Sequence, residues 1–129
     1  MRVLLDTHAL FWWLYFPELL PTRVREIVGD PDTWVFASAV SAYEMSYKHH
    51  RGRWAGVEPL VSAFEEVVAA ERFDLLPLSA SHATRAGSYG PEHRDPFDRM
   101  LTAQAVVEGL TLVSKDRWLK GMGAEVVWG

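Results

Sequence analysis

Short apolar runs of strand length punctuate this chain, and longer amphipathic stretches separate them. The runs are "RVLL" at 2–5, "TWVFAS" at 33–38, "FDLLPLS" at 73–79, "LTLVS" at 110–114 and "EVVW" at 125–128. Each has the length and the β-branched and aromatic content of a strand. Between them the patterning predicts helices over about 8–15, 18–29, 39–51, 57–71, 80–87 and 96–108, with a short turn near 116–120. Strands separated by helices require crossover connections. The expectation is therefore an α/β fold, a central, mainly parallel sheet with helices on both faces. Gly52, Gly56 and "GSYGPEH" at 87–93 mark loops but no boundary, so residues 1–129 read as a single domain.

In such sheets ligands bind beyond the carboxyl ends of the strands, which directs attention to polar residues at strand exits. Asp6 closes the first run, and Asp116 follows "TLVSK". A helix cap or turn explains either residue alone. Glu44 lies in "SAVSAYEMSYKHH", where Ser38 or Ser41 can cap the helix. There it can complete a capping box with Ser41 and pair with Lys48 one turn later. In "HRDPFDRML" at 93–101, Asp95 reads as an N-cap, Pro96 as the first helical residue and Asp98 as an acid facing the positive end of the helix dipole. Taken singly, every one of these carboxylates has a structural role.

Composition narrows the chemistry. The chain has no cysteine, which removes thiol catalysis, Cys-ligated zinc and disulfides, and fits a reducing compartment. The longest apolar run, "ALFWWLYF" at 9–16, is too short to span a bilayer, and a soluble, cytoplasmic protein is expected. With 13 Lys and Arg against 17 Asp and Glu, the net charge of -4 argues mildly against a nucleic-acid partner. The cations are clustered, however: "KHHRGR" at 48–53, then Arg94, Arg99, Lys115, Arg117 and Lys120 beside the acids.

Taken together, the acids form an ordered set: one after the first strand, one in the helix after the second, a pair at the start of a late helix and one after the following strand. With "LLDTHALFWW", "SAVSAYEMSYKHHRGR" and "HRDPFDRMLTAQAVVEGLTLVSKD", this order resembles the PIN-domain ribonucleases, and in particular the VapC toxins of type II toxin–antitoxin pairs. The resemblance runs over essentially the whole chain. It implies a PIN-like fold in which Asp6, Glu44, Asp98 and Asp116 are the catalytic and metal-holding acids. Asp98 is the match because it directly precedes "RMLTAQA"; Asp95 is retained as a cap and outer partner.

Carboxylates drawn together repel unless a cation sits among them, and oxygen-only ligands with no Cys and no His pair at zinc spacing point to Mg²⁺ or Mn²⁺. The resemblance further implies hydrolysis of RNA phosphodiester bonds, with structured RNA such as transfer RNA as substrate. Lys48, Arg51, Arg53, Arg94, Arg99 and Lys115 are the candidate RNA-backbone contacts, joined by His49, His50 and His93. The aromatic run Phe11 to Phe16 exceeds what one core face buries, and suggests an interface through Trp12 and Trp13. The resemblance supplies the occupants: a homodimer partner or a cognate VapB-type antitoxin.

Two other classes compete, a phosphoryl-transfer aspartate enzyme of α/β fold and a non-enzymatic domain. A haloacid-dehalogenase-type phosphotransferase needs an acid two residues after its nucleophile, where this chain has His8, and a receiver-type domain needs an aspartate at the end of a middle strand, where "TWVFAS" is followed by none before Glu44. The remaining alternative is a catalytically inactive PIN-like domain that binds RNA or protein.

Overall fold

The computed structural model describes residues 1–129. Strands β1 (Arg2–Leu5), β2 (Trp34–Ser38), β3 (Asp74–Leu76), β4 (Thr111–Val113) and β5 (Val126–Val127) form one sheet in the order β3-β2-β1-β4-β5, with every neighbouring pair parallel. The crossovers carry helices α1 (Thr7–Tyr15), α2 (Thr22–Gly29), α3 (Ala39–His50), α4 (Glu58–Ala70), α5 (Ala80–Ser88) and α6 (Pro96–Glu108). Short 3-10 turns lie at Pro17–Leu19 and Arg117–Met122.

Side chains alternate across the sheet, so β1 and β4 each feed two cores, one on either face. Val3, Leu5, Val35, Ala37, Val113 and Val127 pack with α1, α2 and α4 on one face. Leu4, Leu76 and Leu112 pack with Leu101 and Ala105 of α6 and with Leu119 and Met122 on the other. Helix α3 reaches both clusters, through Met45 in the first and Val40 in the second. It therefore lies across the end of the sheet where the strands exit.

The predicted elements form, with two changes of extent. The 73–79 strand contracts to Asp74–Leu76, because Pro77 offers no N–H to continue the ladder. The helix expected over 18–29 is interrupted: Leu20 is extended, at φ -88° and ψ 139°, as the residue before a proline prefers, and α2 starts only after Pro21. Helix α6 closes on Gly109 at φ +66°, a left-handed position open to glycine that turns the chain directly into β4.

Candidate active site

From β1 the chain moves outward one way to β2 and β3 and the other way to β4 and β5, so the strand order reverses between β1 and β4. Crossovers leave on opposite faces there, and a crevice opens beyond the carboxyl ends of those two strands. The Asp6 amide donates to the Val113 carbonyl at 3.0 Å, which pins the two strand exits together.

Four acids reach this crevice from four elements. Asp6 leaves β1 and caps α1, its Oδ1 accepting from the Ala9 amide at 2.8 Å. Asp116 leaves β4 and caps the following 3-10 turn, its Oδ1 accepting from the Trp118 amide at 2.9 Å. Asp98 stands in the first turn of α6, while Glu44 lies buried in α3. Together with Asp95, Thr7, His8, Ser114, Lys48, Lys115, Trp12 and Trp128 they line one cavity of about 340 Å³.

The mutual repulsion expected from the sequence is visible. Asp98 is pushed up from 3.8 to about 7, first by loss of hydration and then by the negative charges of Asp95, Asp6, Asp116 and Glu44. Asp6 is raised by burial and by Glu44, against hydrogen bonds from Ala9 and Ser114 and the nearby charge of His8. Hard oxygen donors of this kind are the set that suits Mg²⁺ or Mn²⁺. No three of the acidic or histidine side chains converge into a ready-made cage.

The supporting contacts include residues that sequence patterning did not single out. Ser114, buried at the exit of β4, bonds the Asp6 carboxylate and accepts from the Asp116 amide at 3.1 Å. Its place at the end of an apolar strand was the available signal. Ser41 makes no capping box with Glu44: Ser38 is the cap of α3, accepting from the Val40 amide, and Ser41 is bonded to Thr7 across 3.0 Å. Glu44 instead pairs with Lys48, as its spacing predicted. Asp95 caps α6 by accepting from the amides of Phe97 and Asp98 at 2.8 and 3.2 Å.

The proposed RNA contacts divide. Lys48 and Lys115 line the acid cavity, and Arg53 and Arg94 line an adjoining cleft. Arg51 lies over the Tyr47 ring with its guanidinium carbon 3.5 Å from the centroid. Arg99 is corrected: its guanidinium donates to the carbonyls of Ala86, Gly87, Tyr89, Gly90 and His93, so it holds the 87–93 loop together and has no donor free for phosphate. Of the aromatic run, Trp12 turns toward the acid cavity, whereas Trp13 packs inward and donates to Glu71 at 3.2 Å. At the end of this run and just beyond it, Tyr15, Phe16 and Leu19 are exposed.

Comparison with known proteins agrees with this geometry. The PIN domain family model matches residues 3–124. The chain is 30% identical over 119 residues to ribonuclease VapC22 of Mycobacterium tuberculosis, covering 92% of this chain and 89% of that protein. Its fold is similar to that of VapBC2 from Rickettsia felis, solved bound to a DNA fragment from their promoter, with TM-score 0.71, 16% identity and all of both chains covered. It is similar also to that of VapBC-1 from nontypeable Haemophilus influenzae, with TM-score 0.67, 15% identity and 98% and 97% of the two chains covered. On the family match across nearly its whole length and the VapC relative, the chain belongs to the PIN-domain family, on its VapC branch.

Proposed function

We propose that this protein is the toxin of a type II toxin–antitoxin pair and a Mg²⁺- or Mn²⁺-dependent endoribonuclease that hydrolyses phosphodiester bonds in structured RNA such as transfer RNA. The observation that carries the reading is the convergence of Asp6, Glu44, Asp98 and Asp116 on one crevice at the switch point of the sheet. The VapC22 relative, named a ribonuclease, supports the same chemistry.

Asp6 and Asp98 are the residues that hold the ion, with Glu44 and Asp116 completing the ring. When bound, the ion polarises a phosphoryl oxygen and lowers the pKa of an attacking water. The protein's own groups do the rest. Asp98 must release its proton before it can serve as a ligand. The pairing with Lys48 fixes the Glu44 carboxylate at the inner wall, where it orients water. Trp12 and Trp128 wall the cavity with apolar surface, and Lys115 at its exposed rim faces an incoming phosphate.

Cleavage of end-labelled total transfer RNA by purified protein in Mn²⁺ tests this reading, with EDTA and Asp98→Asn as controls. Site-specific cuts abolished by both are expected; intact RNA from antitoxin-free protein overturns the reading. The solved VapBC relatives support a cognate antitoxin as partner; the resemblance to VapC toxins implies that a basic residue of that antitoxin sits against the acids. A homodimer formed through the exposed Tyr15, Phe16 and Leu19 surface completes the proposal.

A further inference from the structure

Helix α3 presents two parallel stripes beside the acid cavity. Glu44 and Lys48 face the cavity, and Tyr43 and Tyr47, one position earlier at the same spacing, face a separate cleft of about 620 Å³. The cleft is lined by Tyr43, Tyr47, Phe97, Lys48, Arg53 and Arg94 among others, and it shares Lys48 and Asp95 with the acid cavity.

Its rings form a cluster with open edges. Tyr43 stands edge-on to Phe97 at 5.7 Å between centroids and to Tyr47 at 6.0 Å, and Tyr47 is tilted against Phe97 at 6.1 Å. Arg51 covers one face of Tyr47, yet Tyr43 is 58% exposed. Two of the cleft's three cations are also open. The ion pairs of the chain are Glu44–Lys48, His49–Glu58, His82–Glu108 and Glu92–His93, and they leave Arg53 and Arg94 without a carboxylate.

We propose that this cleft is a base-binding subsite: it takes an unpaired nucleobase of the RNA strand against Tyr43, while Arg53 and Arg94 hold the adjoining phosphates. Three features select this occupant. Aromatic faces beside unpaired guanidinium groups match a splayed base attached to a polyanion. The two unpaired guanidinium groups, Arg53 and Arg94, outnumber the one carboxylate that lines the cleft, Asp95, so its lining is net positive. Continuity with the acid cavity places the base within a nucleotide or so of the scissile bond. A strand threading both pockets must be single-stranded at the cut, which limits the substrate to loops, bulges or ends of structured RNA. The inference rests on the nuclease reading and deepens it.

The test measures binding apart from cleavage. Fluorescence anisotropy with labelled hexauridylate in Ca²⁺ compares wild type, Tyr43→Ala, Tyr43→Phe and Trp34→Ala, the last an equally exposed ring at the opposite end of β2. Tyr43→Ala is expected to weaken binding about tenfold, as loss of one stacked base does, with Tyr43→Phe and Trp34→Ala near wild type. An abasic hexamer of the same backbone is expected to bind wild type and Tyr43→Ala alike. Equal hexauridylate affinity for wild type and Tyr43→Ala overturns the subsite, as does a Tyr43→Ala variant altered only in sedimentation or in affinity for an antitoxin peptide. Metal-dependent cleavage by wild type, lost in Asp98→Asn, keeps the nuclease reading intact even when the subsite fails; absence of both cleavage and RNA binding removes the two together.

Discussion

The raised Asp98 carboxyl makes the stability of the metal-free protein depend on pH in a direction opposite to that of most carboxylates. A group whose folded pKa lies above its unfolded value stabilises the fold while it is protonated, and that contribution is lost as pH rises through the folded value. For Asp98 the window runs from 3.8 to about 7. Three pH units at about 1.4 kcal/mol each give roughly 4 kcal/mol, and the part-exposed position of the carboxyl screens this to about 2 kcal/mol. Asp98→Asn mimics the protonated form at every pH. The variant and wild type should therefore melt together near pH 4, while at pH 8 in EDTA the variant should melt higher. An unfolding entropy of about 2.1 cal/mol/K per residue over 129 residues makes that gap about 7 °C.

Metal binding reverses the order. Asp98 must be ionised to bind, so the apparent affinity for Mn²⁺ should fall about tenfold for each pH unit below 7. Added Mn²⁺ should raise the wild-type midpoint more at pH 8 than at pH 6, and should scarcely move Asp98→Asn. Differential scanning calorimetry across pH 4 to 8, with and without Mn²⁺, measures both limbs. A difference between wild type and variant that stays constant with pH in EDTA refutes the argument, because it means that Asp98 does not change its protonation between those limits.

Other perturbations separate structural from chemical roles. Asp95→Asn keeps an acceptor for the α6 amides and removes one of the charges raising Asp98, so the pH midpoint of the metal-free melt should move toward acid with little loss of stability. Arg99→Lys should cost about 2 kcal/mol in urea denaturation, because an ammonium cannot reach the five carbonyls the guanidinium bridges, and any loss of RNA affinity should follow the loss of fold. Lys48→Met leaves Glu44 buried without its partner; stability should fall by about 2 kcal/mol while Mn²⁺ affinity, read by calorimetric titration, rises. Ser38→Ala removes both the cap of α3 and the donor to Gln104, and should cost about 2 kcal/mol by urea denaturation without changing metal affinity.

The sheet and its helices were legible because their hydrophobic periods are unmixed, and even the break at Leu20-Pro21 carried its signal in the proline. Arg99 was not. A cation following Asp98 on an amphipathic helix looks like solvent-facing charge, and its role depends on the 87–93 loop, whose carbonyls find few partners in regular structure and so need a donor from elsewhere. Trp118, 85% exposed beside the site, was equally silent, since exposure depends on what fails to cover a residue. The acids are the instructive case. Weighed one at a time, Asp6, Asp95 and Asp116 were each explained by capping, and the structure makes each of them a cap. In each, a single oxygen, Oδ1, accepts from the amides. A carboxylate has two, so a cap that fixes one oxygen aims the other. Capping and the metal binding proposed above are thus compatible uses of one side chain rather than rival explanations, and at Asp6 and Asp116 the cap is what holds the carboxylate in place at the crevice.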